Sequence, residues 1–103
     1  MNTSIETYIV DAFTNKPFKG NPAAVCILDD LLSINQMQSI AKEFGLSETA
    51  FISKTNTLNS YSIRYFSPAM EIPLCGHATL AASKVLFEKN PKMETINFKT
   101  IQN

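Results

Sequence analysis

The densest run of chemistry-bearing residues is Cys75-Gly76-His77-Ala78-Thr79, which follows Pro73-Leu74 and opens an apolar stretch with helical spacing. Backbone N–H groups in the first turn of a helix have no intrahelical acceptor and point outward, and a glycine there lets a ligand approach the chain closely. A carboxylate or similar anion fits such a place. His77, the only histidine, would stand beside that anion, where an imidazole can donate a hydrogen bond or carry a proton near neutral pH. The structural alternative is a capping or core histidine. Cys75 has two readings as well: a thiol at a helix N-terminus gains thiolate character, whereas one beneath an apolar helix is inert, and with no partner base in view the inert reading is preferred.

A second candidate lies in Ser47-Glu48-Thr49, where a helical pattern gives way to a strand-like one. A carboxylate at that junction projects from the end of a rigid element. General acid/base work requires burial in apolar surroundings, and Ala50-Phe51-Ile52 can supply them. The plainer reading of Glu48 is an exposed turn glutamate. Glu71 can reach a ligand or pair with Arg64, and an ion pair is the expectation. Asp11, Asn21 and Ser67 fall at strand ends, where short polar side chains cap turns; Asn21, flanked by Gly20 and Pro22, is the most interesting of the three. Cys26, inside an apolar run, reads as a small core residue.

These residues need elements to place them. Ile5 to Phe13 is rich in Ile, Thr, Tyr and Val and predicts a strand, after which Asn15-Lys16-Pro17 and Gly20-Asn21-Pro22 turn the chain. Ala23 to Leu28 predicts a second strand. Ser33 is placed to cap a helix from Ile34 to Phe44, since Ile34, Met37, Ile40, Ala41 and Phe44 recur at three- and four-residue spacing and Gly45 stops the run. Thr49 to Ser53 and Tyr61 to Phe66 predict a hairpin across the polar linker Lys54 to Ser60, with Ser67-Pro68 breaking its second strand. Gly76 to Glu88 predicts a helix so apolar that it must be enclosed. Asn90-Pro91 ends it, and Thr95 to Thr100 alternates weakly as a last strand. Strands with only two helices between them, one apolar all round, predict an α+β fold: a curved, mainly antiparallel sheet wrapped around a central apolar helix.

Composition narrows the function classes. The 103 residues carry nine basic and nine acidic side chains and are 45% hydrophobic, which suits one globular unit with a modest core. Scattered Lys and Arg at zero net charge do not build the positive surface that a nucleic-acid backbone needs. No run approaches the roughly 20 apolar residues of a membrane helix, and Met1 to Val10 does not follow a secretory-leader pattern, so a cytoplasmic location is expected. Cys26 and Cys75 belong to no CxxC or Cys/His cluster, which argues against zinc, and reduced thiols are expected in the cytosol. Neither GxGxxG after a strand nor GxxxxGK[ST] occurs, so the usual nucleotide-phosphate cradles are missing.

Five blocks, taken in order, resemble the PhzF family of phenazine-biosynthesis-type isomerases: Val10-Asp11-Ala12-Phe13-Thr14, Gly20-Asn21-Pro22-Ala23-Ala24-Val25, Ser47-Glu48-Thr49-Ala50-Phe51, Arg64-Tyr65-Phe66-Ser67-Pro68 and Leu74-Cys75-Gly76-His77-Ala78-Thr79-Leu80-Ala81. The resemblance runs from the first strand to the end of the apolar helix. It implies a diaminopimelate epimerase-like fold, in which two related domains, each a curved sheet around a helix, meet at an active-site cleft. The 103 residues would be the N-terminal half, with the second domain absent.

By the same resemblance Glu48 takes the role of proton-shuttling acid/base, aided by His77, and Gly76, His77, Asn21 and Cys75 fall among substrate-contacting positions. Cys75 aligns with a catalytic cysteine of the epimerase relatives and is a secondary candidate. The implied reaction isomerises or epimerises a small carboxylate-bearing metabolite, with no metal or organic cofactor. Completion of the cleft would call for a homodimer or a complementary C-terminal-half chain. The alternative is a non-catalytic remnant, or a domain that binds a small molecule or protein and keeps only the fold.

Overall fold

The protein is described by a computed structural model covering residues 5–11 and 22–101. Eight elements follow one another: β1 (Ile5–Val10), β2 (Ala23–Leu28), α1 (Ile34–Phe44), β3 (Glu48–Lys54), β4 (Ser60–Phe66), β5 (Glu71–Ile72), α2 (Gly76–Lys89) and β6 (Asn97–Lys99). The strands form one sheet in the order β1-β2-β3-β4, with β5 and β6 sharing the far side of β4. Pairing is antiparallel for β1/β2, β3/β4 and β4/β5, and parallel for β2/β3 and β4/β6. Parallel neighbours need a crossover. Helix α1 supplies it between β2 and β3, and α2 supplies it between the hairpin and β6.

The two helices lie on opposite faces of the sheet, and strand alternation divides the core between them. Ala23 and Val25 of β2, Ala50 and Ile52 of β3, and Ile63 and Tyr65 of β4 pack against Ala78, Ala81, Ala82, Val85 and Leu86 of α2. Cys26, Leu28, Phe51 and Phe66 face the other way, onto Met37 and Ala41 of α1. There Phe51 and Phe66 meet edge to face, with ring centroids 5.5 Å apart, a geometry worth about 1 kcal/mol beyond area burial. Cys26 and Cys75 are both free thiols.

Helix α1 has the bounds its periodicity predicts, and its ends show why. Ser33 Oγ accepts from the Gln36 N–H at 3.0 Å while Gln36 Oε1 accepts from the Ser33 N–H at 2.8 Å, a complete capping box. Gly45 closes the helix at φ +67°, donating its N–H to the Ala41 carbonyl. Gln38 Nε2 then ties α1 to the carbonyls of Ser67 and Pro68, at 3.0 and 3.2 Å.

The structure departs from the sequence reading in three places. Helix α2 is covered on one side only: Ala78, Ala81, Ala82, Val85 and Leu86 are buried, but Leu80 and Phe87 remain 50% and 38% exposed. The sheet curves over one face of this helix, and no described element lies on the other. Strand β5 was not expected. It is too short to show alternation and is held by a bidentate pair, Arg64 Nε and Nη2 donating to the two Glu71 carboxylate oxygens at 2.7 Å each. That pair is structural, as expected. Strand β1 ends at Val10, three residues before its expected limit, and residues 12–21, which include Gly20 and Asn21, lie outside the described residues.

Both ends of α1 can be tested. Ser33→Ala removes a cap and should cost about 1 kcal/mol in a urea titration. Gly45→Ala should cost about 1 to 2 kcal/mol through left-handed backbone strain alone, because nothing lies within 4 Å of the added Cβ. An unchanged midpoint in either variant would show that the cap does not limit stability.

Candidate functional site

Glu48 is the first residue of β3, and the alternation that aims Ala50 and Ile52 at α2 aims Glu48 the same way. Its position at the strand's end carries it past the packed helix to the beginning of α2. There Cys75 is the residue before the first helical turn, in extended conformation at φ −142°, and Gly76 opens the helix. Two segments 28 positions apart in sequence, Ser47-Glu48-Thr49 and Cys75-Gly76-His77, thus meet because the sheet and α2 share a core.

The contact itself is between thiol and carboxylate. Burial pushes the Cys75 thiol above its ordinary range, the nearby Glu48 charge and a hydrogen bond to the Glu48 carboxylate raise it further, and the backbone N–H groups of Ala78 and His77 pull in the opposite direction. The upward causes win, so Cys75 is held as S–H with Glu48 as its acceptor. The sulfur does not complete a capping hydrogen bond to the helix. The carboxylate is only partly used by this contact, since Glu48 Oε2 is buried with no hydrogen-bond partner among the described residues. A buried carboxylate oxygen without a donor is costly in a folded chain.

Gly76 is exposed, and a Cβ built on it would meet no atom within 4 Å. The chain's own packing therefore does not demand a glycine there, and the space in front of the first helical turn is open. His77, half-buried, is the second residue of α2, so its amide belongs to the group that faces this space. Glu48, Cys75, Gly76 and His77 are brought together. Asn21 lies outside the described residues.

Two further side chains fix the site, and sequence reading gave neither a role. Thr79 Oγ1 donates back to the Cys75 carbonyl at 2.8 Å. Having one proton, it must accept from Tyr65, whose hydroxyl lies 2.6 Å away. The chain Tyr65 O–H to Thr79 O–H to Cys75 C=O pins the start of α2 to β4. Burial, first of all, raises the Tyr65 phenol above its usual range, so it stays a donor at neutral pH. The signal was available: Thr79 stands four residues after Cys75, and Tyr65 alternates with Ile63 onto the α2 face.

Among the described residues no group of three or more His, Cys, Asp or Glu side chains is placed to hold a metal ion, and no helix is long and apolar enough to cross a membrane. A groove of about 550 Å³, lined by Lys54, Asn59, Tyr61, Lys92 and Met93 among others, lies at the opposite end of β3 from Glu48. It is separate from this site.

The electrostatic coupling is directly measurable. Alkylation of Cys75, followed against pH by mass spectrometry, should titrate above the ordinary thiol range. Glu48→Gln should move that titration to lower pH, because removing a negative charge favours the thiolate. An unmoved profile would mean that the two groups are not in contact.

A family model described as phenazine biosynthesis-like protein matches residues 10–102. A phenazine biosynthesis-like domain-containing protein of Homo sapiens is 48% identical over 101 residues, covering 91% of this chain and 35% of that protein. An uncharacterized isomerase of Halalkalibacterium halodurans is 53% identical over 81 residues, covering 79% of this chain and 30% of that one. The crystal structure of a phenazine biosynthesis protein of the PhzF family from Enterococcus faecalis superposes with a TM-score of 0.85 at 50% identity, covering 94% of this chain and 36% of that one. The chain spans about a third of the length of the relatives it matches.

Proposed function

This chain belongs to the phenazine biosynthesis-like (PhzF) family, and we propose that it forms one wall of an isomerase site that moves a proton between carbons of a small carboxylate-bearing metabolite, with Glu48 as the acid/base. The observation that carries the reading is the buried Oε2 of Glu48, without a donor among the described residues, beside the open N-terminus of α2. The isomerase name of a relative at 53% identity supports the reaction class.

The chemistry follows from the two halves of the site. A substrate carboxylate placed before Gly76 meets the outward N–H groups of the first turn and the His77 side chain, which favour its negative charge. Glu48 then takes a proton from a neighbouring carbon. The electron pair left behind delocalises through the adjoining unsaturated system, and Glu48, now a carboxylic acid, returns the proton to a second carbon or to the other face of the first. No atom is gained or lost, no electron leaves the substrate, and Glu48 ends as it began. Cys75 S–H, hydrogen-bonded to the carboxylate, orients Glu48 and does not compete with it as a base at neutral pH. The remaining wall, from a second domain or another chain, closes the site and excludes water.

A second reading is a remnant that keeps the fold and binds the metabolite without turning it over. Proton exchange separates the two. In D2O, an assembly containing this chain and its second wall should place deuterium on carbon in a panel of small carboxylates with an acidic C–H. Glu48→Gln should reduce that exchange by about 10²- to 10⁴-fold while leaving carboxylate binding within a few-fold. Binding without exchange in the unsubstituted assembly supports the remnant, and exchange indifferent to Glu48→Gln would remove Glu48 from the mechanism.

A further inference from the structure

The two helices begin differently. Helix α1 fixes its own first turn through the Ser33 and Gln36 side chains, whereas Cys75 makes no side-chain cap at α2. The segment before α2 gives little support, because β5 has only two residues and Pro73 and Leu74 are exposed. Near its start the helix meets the sheet through small side chains, Ala78 and Ala81, which share a core with Ala23 and Ala50. Apolar packing is non-directional. It sets how close the helix lies and does little to fix its rotation or its slide along the sheet.

A hydrogen bond does have direction, and a buried one stands at this end of α2. The hydroxyl of Tyr65, a buried residue of β4, lies 2.6 Å from Thr79 Oγ1. Thr79 in turn gives both its hydroxyl and its backbone N–H to the Cys75 carbonyl, at 2.8 and 3.0 Å. At the far end of α2 the tie to the sheet is Lys89 to Glu6, an exposed pair of a kind that holds weakly.

The buried bonds close a ring. Ala50 of β3 lies opposite Tyr65 of β4, and Glu48 stands two residues before Ala50 on the same face. From Glu48 the ring runs along β3 to Ala50, across to Tyr65, up through Thr79 to Cys75, and back through the thiol to the Glu48 carboxylate. We propose that Tyr65 and Thr79 are positioning residues of the Glu48 site: their hydroxyl pair sets the rotation and slide of the first turn of α2, and with them the contact between Cys75 and Glu48. Both act through Cys75. The bearing of this contact on catalysis rests on Glu48 being the base, whereas the contact itself does not.

The titratable groups around Cys75 make the effect readable. Glu48 reaches it from β3 and Tyr65 from β4, and His77 stands two residues along its own helix. Burial, first of all, raises the Tyr65 phenol, and a charge on Cys75 raises it further, so the thiol titrates while the phenol is still neutral. Removing the phenol hydroxyl then takes no charge from the surroundings of Cys75. Any movement of the thiol's titration reports a change of geometry.

Alkylation of Cys75 followed against pH tests this on the full chain without substrate. Tyr65→Phe and Thr79→Val, both close to isosteric, should each move the titration to lower pH by about half a unit. A loosened thiol escapes part of the Glu48 charge, which in contact is worth roughly one unit or more. Thr79→Ser keeps the hydroxyl and should keep the titration in place. With Glu48→Gln already present, Tyr65→Phe should add little, as expected of residues acting on one contact. A purely structural role would lower the urea midpoint and leave the titration alone. An unmoved titration in the folded Tyr65→Phe and Thr79→Val variants therefore overturns the assignment, as does an equal shift with and without Glu48→Gln. In the assembly with its second wall, Tyr65→Phe should slow deuterium uptake on carbon by about 10²-fold and weaken carboxylate binding by less; unchanged uptake would also overturn it. Absence of uptake even in the unsubstituted assembly would remove the isomerase reading instead, and the alkylation result would still decide the role of Tyr65 and Thr79.

Discussion

The site depends on one packing contact, that of α2 against the sheet. Ala78, Ala81 and Ala82 present little side-chain bulk, and Ala23 and Ala50 answer them from β2 and β3. Close-packed interiors leave little freedom of relative placement, so this contact decides where the first turn of α2 lies. Glu48 and Cys75 are neighbours for that reason, although no local sequence feature links them. Remove the fit between helix and sheet, and the carboxylate and the helix N-terminus become unrelated groups.

Within that frame the polar atoms are arranged unequally. The backbone at Cys75 is held by a saturated chain of hydrogen bonds through Thr79 to Tyr65, each net worth about 1 kcal/mol and together fixing the helix start to β4. Glu48, by contrast, retains a buried oxygen with no donor among the described residues. Asp11 Oδ1 and Thr49 Oγ1 are in the same position, but the unmet demand of Glu48 stands beside the open N-terminus of α2, where a ligand can answer it. The thiol fits the same pattern: kept protonated by burial and by the neighbouring charge, it serves the carboxylate as a donor.

Much of this was legible from residue order. Helix α1 declared both its ends, because a capping box and a left-handed glycine are local devices. The β3/β4 hairpin followed from strand-like runs across a polar linker, and β2 from an apolar run bounded by turn residues. The five sequence blocks pointed to the PhzF family, which the family match over residues 10–102 bears out. What could not be read was set by partners distant in sequence. Strand β5 exists because Arg64 reaches Glu71 across a turn, and two residues cannot show a period. The one-sided cover of α2 was hidden as well, since an apolar sequence reports that a helix should be buried and not what is present to bury it. Tyr65 and Thr79 looked like core and helix residues until the fold joined their hydroxyls.

The sheet also acts as a partition. On the α1 side lie the larger aromatic contacts, Phe51 on Phe66, with Met37 beneath the helix. On the α2 side lie the small residues that aim Glu48 and the helix start. Adjacent positions along one strand, such as Phe51 and Ala50, therefore answer to different demands. Substitutions can accumulate on the α1 face, altering how firmly the domain holds together, while the α2 face keeps its spacing. A change in how firmly the domain holds together can therefore fall on one side of the sheet while the placement of Glu48 and the helix start, on the other side, stays as it is.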